Sequence, residues 1–158
     1  MFIKPPRGTG QVAWHQNNNY WPSVHGTDVV AGWLALDDAD ADNSAMQVIP
    51  RSHTGDREFE TVPTATADKM LSKRVTVAAE MEASAVTLAM PAGALSLHDS
   101  FLLHGSGRNR SARRRTGYTI RYCSTDTAWV DVEEHTMPVY LVRGEAGSRG
   151  AGYADARP

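Results

Sequence analysis

The sequence predicts a mainly β domain, an antiparallel sandwich or barrel. Three observations predict it. Short runs of strand-forming residues recur along the chain, thirteen glycines and eight prolines punctuate them, and only one short segment looks helical. Many short strands with frequent turns are the pattern of antiparallel two-layer or closed β architectures. At 158 residues the chain is long enough to bury one core without disulfide or metal staples.

The elements follow in order. Val29 to Leu36 is apolar on both parities, as a strand buried on both faces would be. Ala45 to Ile49 is a second strand, stopped by Pro50. Val86, Leu88 and Met90 alternate with smaller residues, and Pro91-Ala92-Gly93 turns the chain into Ala94 to His98. Tyr118 to Cys123 is another alternating run, rich in strand formers. Thr66 to Lys73 is the one helical candidate. The domain is expected to span residues 1–144, with 145–158 as a flexible tail rich in Gly, Ala and Arg.

Composition excludes several function classes. Sixteen Lys and Arg against eighteen Asp and Glu leave a net charge of −2. That balance argues against a protein that coats nucleic acid or an acidic membrane. No apolar run approaches the roughly 20 residues of a membrane-spanning helix. Met1 to Pro6 has no apolar signal-peptide core, so a cytoplasmic location is expected. Cys123, the single cysteine, is expected as a small core residue. Asp37 to Asn43 looks like a calcium loop but lacks the necessary glycine and terminal glutamate; it reads as a solvated turn. Arg108, Arg110, Arg113, Arg114 and Arg115 have no interleaved aromatics and do not read as a nucleic-acid patch.

Two clusters bear chemistry. In Trp14-His15-Gln16-Asn17, strand geometry would turn His15 and Asn17 to one side. A histidine and an oxygen donor at that spacing form one edge of a metal site. Further on, His104 follows an apolar pair and precedes a glycine turn, which places its imidazole at a strand end. Arg115, eleven residues later on a returning strand, reaches the same cavity with a fork suited to a carboxylate. The generic reading is a metal plus a carboxylate-bearing ligand. His98 shares strand parity with His104, and Tyr20 and Trp21 follow the first cluster. All three are candidates to face the substrate, with packing as the equal alternative for the two aromatics.

Four ordered blocks resemble the phytanoyl-CoA dioxygenase family: Trp14-His15-Gln16-Asn17, Trp33 to Asp38, Asn43 to His53, and Leu103 to Ser111. The resemblance runs from about Phe2 to about Gly144. It implies a double-stranded β-helix (jelly-roll, cupin-like) core with few short helices. It also implies an Fe(II)- and 2-oxoglutarate-dependent oxygenase acting on a small organic substrate with dioxygen. Carried over residue by residue, it makes His15 and His104 metal ligands, with Asn17 at the third metal position. Arg115 becomes the partner of the far carboxylate of 2-oxoglutarate, with Ser106 and Trp33 lining that pocket. His53, in the third block, is expected to order a turn.

Two departures matter. The family places aspartate where this chain has Asn17, and neighbouring Asn18 and Asn19 are also neutral. Asp99 and Asp28 are the other carboxylates considered, though no spacing demands them. Three readings stay open: a weak but working ligand, a catalytically silent binding domain, or a halogenase-like site with an exogenous ligand. Secondly, only fourteen residues precede His15. The buttress that usually covers one sheet is then missing, and self-association through the open face or marginal stability is expected.

Overall fold

The computed structural model describes residues 1–21, 24–25, 28–55, 58–64, 71–129 and 139–145. Its strands are β1 (Phe2–Lys4), β2 (Val12–His15), β3 (Val24–His25), β4 (Val29–Ala35), β5 (Gln47–Val48) and β6 (Thr61–Pro63). They continue as β7 (Lys73–Val75), β8 (Val86–Thr87), β9 (Leu95–Asp99), β10 (His104–Ser106), β11 (Arg115–Cys123) and β12 (Ala128–Trp129). A 3-10 turn, Asn17–Tyr20, follows β2, and one short helix, α1, spans Ala79–Ala83.

Two four-stranded antiparallel sheets form the body. One has the order β1-β11-β4-β9 and the other β2-β10-β5-β8. Neighbours within each sheet are distant in sequence, as a jelly roll requires. The inner face of the first sheet follows from strand parity. Thr119 lies opposite Trp33, Arg121 opposite Ala31, and His98 opposite Ala31 on the other side. Lys4 pairs with Arg115 across β1 and β11. One core cluster gathers Trp33, Ala35, Ala39, Ala45, Met46 and Val48; a second gathers Ile49, Val75 and Leu103.

Gly117 is required by packing. A Cβ there would lie 2.2 Å from Cε2 of Trp33, which no backbone shift of a few tenths of an ångström relieves. The glycine lets the indole lie flat against β11. Gly117→Ala is expected to cost about 1–3 kcal/mol through overpacking, read as a lower denaturation midpoint in urea. An unchanged midpoint would show that the indole can move aside freely.

Several expectations need correction. Val29 to Leu36 is not buried on both faces. Val29, Ala31, Trp33 and Ala35 are buried, whereas Leu36 is exposed. The outer face of this sheet carries exposed Ile3, Leu95, Leu97, Tyr118 and Tyr122. The helical expectation over Thr66 to Lys73 fails at its end, since Lys73 opens β7; residues 65–70 lie outside the described residues. Among the described residues the helix is α1, whose Ala-Glu-Met-Glu-Ala composition favours helix and whose Met81 packs against the second core cluster. Cys123 is exposed rather than in the core, because it ends β11 beyond the layer contact. The tail from 146 onward lies outside the described residues. No helix among the described residues is long and apolar enough to cross a membrane.

Candidate metal and co-substrate site

A cavity opens between the inner faces of the two sheets. His15, at the end of β2, lies directly opposite His104, at the start of β10. Their ring centroids are 4.1 Å apart. His15 Nδ1 is 2.9 Å from the Ala13 carbonyl, and His104 Nδ1 is 2.8 Å from that of Leu102. A proton donated from each Nδ1 leaves Nε2 as the metal-binding lone pair. Burial lowers the pKa of His15 to about 4 and holds His104 well below its usual value. Both rings are therefore neutral near pH 7, the form that ligates metal.

Asn17 reaches the cavity by a different route from the one strand parity predicts. β2 stops at His15, and Asn17 is the first residue of the 3-10 turn. Gln16 makes that turn. Its side chain is fully buried, donating from Nε2 to the Phe101 carbonyl (2.6 Å) and accepting the Phe59 N–H (3.0 Å). The Gln16 N–H meets Asn19 Oδ1 at 3.3 Å. Asn17 is buried, with Nδ2 3.4 Å from His98 Nε2. His98 comes from β9 in the opposite sheet, its ring 4.9 Å from that of His104. Burial, then the Arg121 charge, lowers the His98 pKa to about 4.

Among the described residues, no Asp or Glu lines the cavity. Asp99 Oδ1 instead accepts the Phe101 N–H (2.8 Å), and Asp28 is exposed. Among the described residues, no group of three His, Cys, Asp or Glu side chains is arranged to hold a metal ion. The donor chemistry therefore fits a divalent ion in part. Two neutral imidazoles face each other and an amide lies beside them, but the carboxylate of a two-histidine, one-carboxylate set is absent.

Arg115 is built into the inner end of the cavity. It is 3% exposed, and its Nε and Nη2 donate to the Ser44 carbonyl at 3.1 and 2.8 Å. Nη2 also reaches Ser106 Oγ at 3.2 Å, and the guanidinium stands 5.4 Å from the Trp33 ring. Ser44 adopts a left-handed φ of 70°, uncommon for a residue with a side chain. The acidic turn before it is tied down by Asn43, which donates to the Asp38 carbonyl (2.7 Å) and accepts the Asp40 N–H (2.8 Å). Arg113 meets Asp40 at 2.6 Å and Arg114 meets Asp37 at 2.8 Å, so the arginine run and the acidic run hold each other at the surface.

Lys4 and Arg121 also line the cavity, and the motif reading missed both. Lys4 is 2% exposed; its ammonium donates to Ser44 Oγ (3.0 Å), the Ser106 carbonyl (3.2 Å) and the Gly107 carbonyl. Burial, then the charge of Arg115, lowers its pKa to about 7. Nothing local in the sequence marks Lys4. Arg121 did carry a signal, sharing strand parity with Arg115. Tyr20 and Trp21 are not among the lining side chains. Tyr20 Oη donates to the Lys73 carbonyl at 2.5 Å, with its ring edge-on to His15 at 5.8 Å. Trp21 is buried beneath the Arg121 guanidinium. His53 sits in the turn after Pro50, away from the cavity, with a buried Nδ1 that has no hydrogen bond.

Comparison with known proteins gives concordant relatives. A "Probable alpha-ketoglutarate-dependent hypophosphite dioxygenase" of Stutzerimonas stutzeri is 33% identical over 128 residues, covering 80% of this chain and 44% of that protein. The peroxisomal phytanoyl-CoA dioxygenase of Bos taurus is 26% identical over 136 residues, covering 84% and 40%. The chain thus spans less than half the length of these curated relatives. Among solved structures, the non-heme monooxygenase ThoJ in its apo form superimposes with a TM-score of 0.76 at 26% identity, over 99% of this chain and 55% of that one. EvdO2 from Micromonospora carbonacea var. aurantiaca, complexed with 2-oxoglutarate, shares the fold with a TM-score of 0.69 at 24% identity, over 81% and 51%. The sequence pattern described as phytanoyl-CoA dioxygenase (PhyH) matches residues 1–117, which include both facing histidines and Arg115, and the chain belongs to that family.

Proposed function

We propose that this chain carries the core of an Fe(II)- and 2-oxoglutarate-dependent oxygenase that acts on a small organic substrate with dioxygen. The observation that carries the reading is the pair of neutral imidazoles, His15 and His104, facing each other across one cavity with Arg115. The two imidazoles would hold the metal, with the Asn17 amide oxygen as a neutral third donor. Arg115 and Ser106 would bind the distal carboxylate of 2-oxoglutarate, and the Trp33 ring would wall that end from water. When bound, iron and the keto acid would activate dioxygen, the oxidant for an unactivated C–H bond, with the keto acid oxidised to succinate and carbon dioxide.

Asn17 is of aspartate's size and packs against His98, which leaves little room for a halide; this favours a weak ligand over a halogenase-like site. The remaining alternative is a silent binding domain that keeps the carboxylate pocket alone. Anaerobic titration with Fe(II) and 2-oxoglutarate should give a weak visible charge-transfer band, and admitting air with substrate should release succinate. Binding of 2-oxoglutarate without succinate under any condition would support the silent domain. Binding of neither metal nor 2-oxoglutarate would end the oxygenase reading.

A further inference from the structure

The cavity's charge is one-sided. Among the described residues, Lys4, Arg115 and Arg121 line it, together with three histidines and no carboxylate. Two of these cations have protein partners. Lys4 and Arg115 are buried at the inner end and donate to the carbonyl and hydroxyl oxygens of residues 44, 106 and 107. The third is different. Arg121 is exposed, with its guanidinium 5.5 Å from the Trp21 ring. Among the described residues it makes one hydrogen bond, from Nη1 to Thr119 Oγ1 (3.1 Å), and pairs with no carboxylate. The indole face fixes the plane of the fork and leaves its remaining donors unspent.

Position separates Arg121 from Arg115. They lie six residues apart on one face of β11, about 20 Å of strand at ~3.3 Å per residue. Cross-strand register puts Arg121 one strand away from Ala31 and two from His98, at the histidine end of the cavity. A five-carbon diacid anchored on Arg115, with its keto-acid end at the histidines, answers the inner charge and leaves Arg121 free.

We propose that the cavity takes an anionic substrate, a small molecule bearing a carboxylate or phosphorus oxyanion, and that the Arg121 guanidinium at the mouth binds that anion. The assignment rests on the oxygenase reading for the word substrate, but the anion site itself stands on the residues alone. A planar fork held on an aromatic face favours two parallel hydrogen bonds to one oxyanion. Neutral analogues of the same shape would leave the cation unpaired.

The test uses the purified chain with zinc and saturating 2-oxoglutarate. Benzoate, acetate and methylphosphonate are titrated against benzamide and acetamide by ligand-observed NMR. The anions are expected to bind at least ~10-fold more tightly than the amides. Arg121→Gln is expected to remove that preference while changing 2-oxoglutarate affinity by less than about threefold, and Arg121→Lys to keep part of it. Equal binding of anions and amides by the unaltered chain would overturn the proposal. So would loss of 2-oxoglutarate binding in Arg121→Gln, which would assign the arginine to the co-substrate. If the unaltered chain binds no 2-oxoglutarate yet keeps an Arg121-dependent anion preference, the oxygenase reading falls and the anion site survives. Circular dichroism on each variant separates lost binding from lost fold, and Arg121→Lys decides the matter if Arg121→Gln does not fold.

Discussion

Asn17→Asp is expected to raise Fe(II) affinity by roughly 10²-fold or more. The added carboxylate would meet a divalent ion inside a cavity, where a unit charge acts through an effective dielectric nearer 20 than 80. The same substitution should lower the stability of the metal-free chain, because it desolvates a carboxylate beside neutral imidazoles. The two effects have opposite signs, so melting measured with and without metal separates them. Without metal the melting temperature should fall, and with metal it should rise above that of the unaltered protein. Direct titration supplies the affinity. Asn17→Ala is the companion variant and should weaken binding if the amide oxygen is a donor. If neither variant changes affinity, the amide does not face the ion, and the place of Asn17 in the metal site is lost.

Arg115→Leu is expected to weaken 2-oxoglutarate binding by roughly 10²- to 10³-fold, the usual scale for removing one member of a buried charge pair. Its cost to the fold should be smaller. The Ser44 carbonyl would lose both guanidinium donors, at about 1–3 kcal/mol for an unsatisfied buried acceptor. Removal of the neighbouring cation should at the same time ease the burial of the Lys4 ammonium. Calorimetric titration with 2-oxoglutarate reads the first effect and chemical denaturation the second. Unchanged 2-oxoglutarate affinity would mean that the diacid binds elsewhere or not at all.

The two histidines that the motifs single out face each other for a reason that strand parity does not supply. His15 and His104 are brought together by β2–β10 pairing, a contact between segments 89 positions apart. Asn17 was placed by the wrong argument, since the chain leaves β2 and turns on the buried Gln16. His98 shows the opposite case. Parity within one extended strand was the basis for linking it to His104, but a turn separates β9 from β10. The two rings meet across the cavity from different sheets. The acidic and arginine-rich runs each read as surface features, and each is one. Their mutual pairing also braces the turn that presents the Ser44 carbonyl to Arg115.

Residue type and local pattern alone predicted a β-rich domain, two imidazoles of metal-binding type and an arginine suited to a carboxylate, and the family resemblance added a neutral Asn17 where aspartate is expected. Those properties belong to individual side chains and to the alternation of a strand, and a linear string displays both. Only the tertiary structure decided that Lys4 lies beside Arg115, that no carboxylate of the described residues lines the cavity, and that Arg121 stands at the mouth over Trp21. These facts arise where strands distant in sequence pair and two sheets close on each other. A cation's partner, or its lack of one, is a property of that enclosed space rather than of any stretch of chain.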